Sequence, residues 1–368
     1  MTSDFPKLTK LRILIFNWRD LAHPLAGGAE VYTHRVAEEW IKMGHEVTLF
    51  CSSVDGKPEM ENLNGLKIIR RGGKHSIYRE AKKFYKKEGR DNFDLVIDEV
   101  NTRPFGATEW VADAQVIALI HQVCREIWYH QLPLPVAIIG RYLLEPYWLR
   151  RYRQVTTVTV SQSSKQSLEM YGLNKVHVVP EGFSQMEYQK DVQKSTEPTV
   201  IFIGRLSANK RPRDAIKAFS LLKSKLPNAV LKIVGSGPEE KLIRRNLPEG
   251  VQLLGNISDE EKMRQLASAH LLVATSVREG WGLVVTEAAM VGTRSIGYDV
   301  PGLRDSITAS NGILCDGNVV ALSEALFLEL TSGNQVKDSN LTAGGVVPWK
   351  KVAEGILLVA KHDYGYQV

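Results

Sequence analysis

Long apolar runs are missing from this chain: no stretch approaches the eighteen or so residues that a membrane-spanning helix requires. Cysteine is scarce as well. The three present, Cys51, Cys124 and Cys315, are odd in number and far apart, which excludes a disulfide framework. The opening MTSDFPKLTK has neither the apolar core nor the small-residue cleavage site of a secretory signal, and with the cysteine usage this predicts a reducing, cytoplasmic compartment. No G-x-G-x-x-G follows the first apolar run. The stretch IVGSGPEE supplies only Gly235 and Gly237, with Glu240 in the third place, so a dinucleotide-dependent oxidoreductase is disfavoured. Neither a short-period repeat nor a low-complexity tract appears.

What is there suits a soluble enzyme: 368 residues, 43% hydrophobic and 24% charged, with a formal charge of +6. That length exceeds what a single core usually organises and predicts two domains. LRILIFN at 11–17 reads as a strand, GGAEVYTHRVAEEWIKMG as a helix with Val31, Val36, Trp40 and Ile41 on one face, and HEVTLFCSS as the next strand. The alternation continues through LKIIR, AKKFYKKEG, FDLVIDE, AQVIALI and TTVTVS, predicting a parallel sheet with helices on both faces. The polar stretch 185–198, QMEYQKDVQKSTEP, reads as a linker, and beyond it a second α/β unit runs from PTVIFIG to RSIGYD. The expected division is an N-terminal Rossmann-like domain over 1–190 and a C-terminal one over 191–348. Residues 349–368 read as an amphipathic C-terminal helix expected to cap a domain, the N-terminal one first. In such open sheets ligands bind beyond the carboxyl ends of the strands.

Two segments at those ends carry chemistry. In REGWGLVVTEAAMVG, at 278–292, a loop hands over to a helix: Gly280 and Gly282 let the backbone approach a ligand, and the first amides, at Leu283 and Val284, favour an anion. Glu279 suits sugar hydroxyls and Glu287 a ribose diol, whereas the plainer alternative makes them a solvated loop acid and a helix-dipole charge. In VIFIGRLSANKRP, Arg205 follows a strand directly and Lys210 comes five residues on, a pair of cations able to clamp a diphosphate and stabilise it as a leaving group. The alternative is a basic surface loop.

G-R-L-x-x-x-K at 204–210, followed by E-G-W-G-L-x-x-x-E at 279–287, resembles the family 4 glycosyltransferases of GT-B fold, in which two doubly wound Rossmann-like domains face each other across a cleft. The resemblance implies a retaining transferase that uses a UDP- or GDP-sugar and needs neither metal nor other cofactor; the absence of D-x-D counts against the metal-dependent GT-A type. It implies Glu279 at the donor sugar, Glu287 at the ribose and Arg205 with Lys210 at the diphosphate. The glycine loop Gly27–Gly28 would approach the donor phosphate and His121 the donor sugar. Trp281 stands where the family often has Phe. Glu181, in VPEGF, stands where many members have Asn, and it is left out of the donor site. His121, Glu279, Arg205 and Lys210 are the expected catalytic set.

For the acceptor, His23, Glu99 and Asn101 are candidates from loops at the same edge of the N-terminal sheet. The run 67–90 holds ten Lys or Arg with Ile77, Tyr78, Phe84 and Tyr85 interspersed, and 141–153, RYLLEPYWLRRYR, follows the apolar LPLPVAIIG. Either could rest on an anionic membrane surface, which fits a lipid-linked or glycan acceptor; the alternatives are a solvated basic helix for the first and core packing for the second. A small soluble acceptor, or an epimerase or hydrolase acting on sugar nucleotides, is the main rival. A nucleic-acid partner lacks any compact recognition motif and leaves the paired carboxylates unexplained.

Overall fold

The computed structural model describes residues 10–183, 192–332 and 344–362. Residues 185–191 of the expected linker and 363–368 of the C-terminal segment lie outside them. The chain divides into two compact units: Met1–Val123, Tyr142–Ser184 and Val347–Val368 form the first, and Cys124–Arg141 with Gln185–Val346 form the second.

The first unit is built on β1 (Arg12–Phe16), β2 (Glu46–Cys51), β3 (Met60–Leu63), β4 (Leu66–Arg70), β5 (Leu95–Glu99), β6 (Gln115–Leu119), β7 (Thr157–Thr159) and β8 (Val176–Val178), ordered β3-β4-β2-β1-β5-β6-β7-β8. Strand order reverses between β1 and β5, so the loops leaving these two strands diverge to opposite faces and open a crevice at the sheet's carboxyl edge. The sheet is parallel apart from β3, which pairs antiparallel with β4. That exception departs from the all-parallel expectation and follows from ENLNGLKI: Asn64 and Gly65 both take positive φ, 52° and 94°, as a two-residue hairpin turn demands.

Helix Gly28–Lys42 buries Tyr32, Val36, Ala37 and Trp40. The C-terminal helix Trp349–His362 packs on it, with Trp40 Nε1 donating to the Ala353 carbonyl at 3.0 Å. A short strand β9 (Glu181–Phe183) lies against the same helix, and there a Cβ on Gly182 would come within 2.1 Å of the Trp349 ring.

In the second unit β10 (Thr199–Ile203), β11 (Val230–Val234), β12 (Val251–Gly255), β13 (Leu271–Ala274), β14 (Arg294–Tyr298) and β15 (Ile313–Cys315) form a parallel sheet ordered β12-β11-β10-β13-β14-β15. Alternation along β10 feeds two cores. Val200 and Phe202 join Phe219 and Leu222 of helix Pro212–Lys225 and Leu322 and Leu326 of helix Val319–Thr331, while Ile201 joins Val285 and Ala288 of helix Leu283–Met290. Here the order reverses between β10 and β13.

The basic run 67–90 is not the cationic aromatic surface that its composition suggests. Ile77, Phe84 and Tyr85 are buried in the core around Phe16 and Phe50, so they are not free to touch a headgroup. Arg70 is 3% exposed and bound to Asp20 at 2.5 Å and to Glu61 at 2.7 Å; Arg71 pairs with Glu59 and Glu88. Lys74, Arg79, Lys82, Lys83, Lys86, Lys87 and Arg90 remain exposed. The apolar run behaves in the opposite way: Leu132, Leu134, Val136, Ile138, Ile139, Tyr142, Leu143 and Tyr147 are all exposed, along the helical stretches Leu134–Ile139, Gly140–Leu144 and Glu145–Arg150. Among the described residues no helix is long and apolar enough to cross a membrane.

A buried ion pair is costly to break from one side, because the remaining charge is stranded in a dry interior. Arg70→Leu is therefore expected to destabilise the protein by about 3–5 kcal/mol, read from urea unfolding, and an unchanged midpoint would mean that Asp20 finds another partner.

Candidate active site

In the second unit the chemistry-bearing loops leave β10 and β13, the neighbouring strands at which the order reverses. Their backbones are tied together. Val277 N–H donates to the Asn209 carbonyl at 2.9 Å, and the Thr275 hydroxyl reaches the Lys210 and Arg211 carbonyls at 2.9 and 3.0 Å. Arg211 takes a left-handed φ of 51° and Pro212 opens the following helix, which stops the loop sharply after Lys210. Lys210 Nζ contacts Glu279 Oε1 directly, and Ser276 Oγ donates to the same oxygen at 2.6 Å. The lysine expected at a diphosphate is thus on the carboxylate expected at a sugar. Arg205 is exposed, with no side-chain partner among the described residues.

The Glu279 turn is held from below. Glu279 N–H donates to the Pro301 carbonyl at 3.0 Å, and a Cβ on Gly302, whose φ is +84°, would lie 2.1 Å from the Glu279 carbonyl oxygen. Only glycine fits there. Gly280 and Gly282 follow, with Gly282 at φ 91° as the N-cap of helix Leu283–Met290 and no side chain capping it. The N–H groups of Leu283 and Val284, at the first two helical positions, have no intrahelical acceptor and suit an anion. Trp281 turns away from this seat: its ring is 6% exposed, Nε1 donates to Thr286 Oγ1 at 2.9 Å, and Gly345 leaves room for it. Glu287, a turn and a half into the helix, is paired at 2.9 Å with Lys262, whose ammonium is kept above its ordinary range against burial by Glu287 and Asp259.

The first unit assembles its own cluster after β1, β5 and β6. Gly27 N–H donates to Glu30 Oε2 at 2.6 Å, and Glu30 is in turn held by Arg19 at 2.8 Å; a Cβ on Gly28 would meet nothing within 4 Å. His23 accepts from Leu25 N–H at 3.0 Å through Nδ1 and lies 5.7 Å from the Trp18 ring; burial, then the Arg19 charge, lower its pKa. Asn101 donates to Asn17 Oδ1 at 2.8 Å. Glu99 is 1% exposed and accepts from the Thr33 hydroxyl at 2.5 Å, which places it behind His121 rather than open to an acceptor. His121 Nε2 lies 3.6 Å from Glu99 Oε1, and its Nδ1 lies 3.7 Å from Oε1 of Glu181, the residue that motif reasoning leaves out of the donor site. The signal in the sequence is the position of Glu181 between a proline and a glycine, at the first residue of β9. Tyr32 meets the imidazole edge to face at 4.8 Å, and Trp349 meets Tyr32 at 5.6 Å.

Comparison with known proteins identifies the family. Residues 26–184 match the profile described as Glycosyltransferase Family 4, and residues 184–338 match the one described as Glycosyl transferases group 1. An uncharacterised glycosyltransferase of Methanocaldococcus jannaschii is 25% identical over 346 residues, covering 82% of this chain and 84% of that one. A human relative, belonging to the phosphatidylinositol N-acetylglucosaminyltransferase, is 26% identical over 211 residues, covering 54% of this chain but 44% of its own length. In fold, the sucrose-phosphate synthase of Thermosynechococcus elongatus superposes with a TM-score of 0.70 over 97% of this chain and 100% of its own, at 17% identity. With the two profiles together spanning residues 26–338, the chain belongs to the family 4 glycosyltransferases and has their GT-B fold.

Proposed function

We propose that this glycosyltransferase is a retaining hexosyltransferase, taking its sugar from a UDP- or GDP-sugar and delivering it to a hydroxyl of a lipid-linked or glycan acceptor. The observation that carries the donor reading is the Lys210–Glu279 contact beside the uncapped helix start at Gly282. A cation, an acid and free amides at one strand edge match the two parts of a sugar diphosphate: hydroxyls for Glu279, and phosphate oxygens for Lys210, Arg205 and the Leu283 and Val284 amides. Glu287 takes the ribose diol.

In the reaction the bond from the anomeric carbon to the diphosphate oxygen breaks while the acceptor oxygen bonds to the same carbon on the same face. The acceptor proton passes to the departing diphosphate oxygen. Lys210, Arg205 and the amides stabilise the charge that collects on that leaving group, in place of a divalent metal.

A lipid acceptor is favoured by the run from Leu132 to Tyr147. Side chains of this size exposed in succession are disfavoured in water and suited to the interfacial region of a bilayer, and Arg150 and Arg153, both exposed, follow them for an anionic headgroup. The human relative carries a phosphatidylinositol acceptor in its name.

Calorimetric titration with UDP, GDP and ADP, with and without EDTA, tests the donor site. Chelator-insensitive binding of UDP or GDP is expected, weakened about tenfold or more by Lys210→Ala, which also bares the Glu279 carboxylate beside the phosphates, and weakened by Glu287→Ala. Absence of binding by all three nucleotides would remove the donor assignment. For the membrane, the wild type should sediment with phosphatidylglycerol-containing vesicles and Leu134→Asp/Ile138→Asp should stay in the supernatant; a wild type that stays in the supernatant points to a soluble acceptor.

A further inference from the structure

His121 is flanked on both ring nitrogens by carboxylates, Glu99 toward Nε2 and Glu181 toward Nδ1. A neutral imidazole carries one N–H and one bare lone pair, so either tautomer would aim a lone pair at a carboxylate oxygen. Only the protonated ring presents a donor to each side. The surroundings reinforce this choice, since the Tyr32 ring closes over the imidazole and the nearest atoms are dry: His121 Nε2, Glu99 Oε1, Glu181 Oε2 and the Tyr32 hydroxyl are all buried with no hydrogen-bond partner at normal length. Two acids buried beside one another without a cation between them would be strongly unfavourable.

We propose that His121 is held as an imidazolium between Glu99 and Glu181, so that it serves the transfer reaction as a fixed positive charge and never as a base, with Glu181 as its positioning residue. The role in the reaction rests on the hexosyltransferase reading; the charge state does not. Glu181 is specific to the arrangement, because an amide at that position could donate to the lone pair of a neutral ring whereas a carboxylate can only accept. The groups facing the imidazole are Tyr32 from helix Gly28–Lys42, Glu99 from β5 and Glu181 from β9. Behind them stand Thr33, bonded to Glu99, and Glu30, which is neutralised by Arg19. Burial alone would lower the His121 pKa, but Glu181 and Glu99 outweigh it and raise it to about 10. Burial raises the Glu99 carboxyl, opposed by His121 and Thr33. A histidine pKa raised on folding stabilises the protein fully below its unfolded value, near 6.5, and the contribution disappears as pH rises through about 10.

The test is a titration of the full chain, free of nucleotide, with 13C-labelled histidine followed by NMR, the His121 signal being identified by its loss in His121→Gln. The imidazolium shift is expected to persist to about pH 9 in the wild type, and Glu181→Gln should move the midpoint down by roughly one pH unit or more, with circular dichroism melting confirming that the variant is folded. A wild-type midpoint near 7 or below overturns the proposal, as does a folded Glu181→Gln whose midpoint stays where it was. Because no nucleotide or acceptor is present, failure here leaves the donor-site reading standing, and failure of nucleotide binding leaves this one standing.

Discussion

The contact between the Lys210 ammonium and the Glu279 carboxylate joins two loops that the chain separates by nearly seventy residues, and the proposed donor site depends on it. Each loop by itself is a common object: a basic turn after one strand, an acidic turn after another. They come together because β10 and β13 are paired neighbours, so the loops leaving them start side by side at the carboxyl edge of the sheet. A backbone hydrogen bond from Val277 and the Thr275 hydroxyl set their spacing. The ion pair also has a chemical meaning: the lysine is satisfied by the acid, and in the proposed function a diphosphate would have to draw it off.

The same economy of buried charge governs the first unit. Arg70 is matched by Asp20 and Glu61, Glu30 by Arg19, and His121 by Glu99 and Glu181. The net positive charge of the chain is therefore a surface property, and the cations that composition groups together in 67–90 divide into structural ones, such as Arg70, and solvated ones, such as Lys82 and Lys83.

Much of this architecture is legible in the sequence. The continuous apolar run of β10, buried on both faces, and the Pro212 helix start carry their own local physics, as do the glycines around Glu279. Asn64-Gly65 announces a hairpin just as locally, although the alternating pattern around it invites an all-parallel reading. Partnership across long separations is not legible. Nothing in the run around Arg70 points to Asp20, fifty residues earlier, and nothing near VPEGF points to His121. Trp281 illustrates the same limit from the other side: its place inside a ligand motif suggests a pocket wall, while its burial depends on Gly345, which no local pattern connects to it. Residues acting through their own backbone can be read from the string, and residues acting through a distant partner cannot.

Gly182 lies one residue after Glu181 and directly under the Trp349 ring, which touches Tyr32, which touches His121. Sequence drift at position 182 is consequently not free: any side chain there has to be accompanied by a smaller residue at 349, and that exchange would loosen the Tyr32 ring set edge to face with the imidazole. Among descendants of this chain, positions 182 and 349 should change together or not at all, so the last helix, far along the chain from every motif, inherits the evolutionary rate of the site it supports.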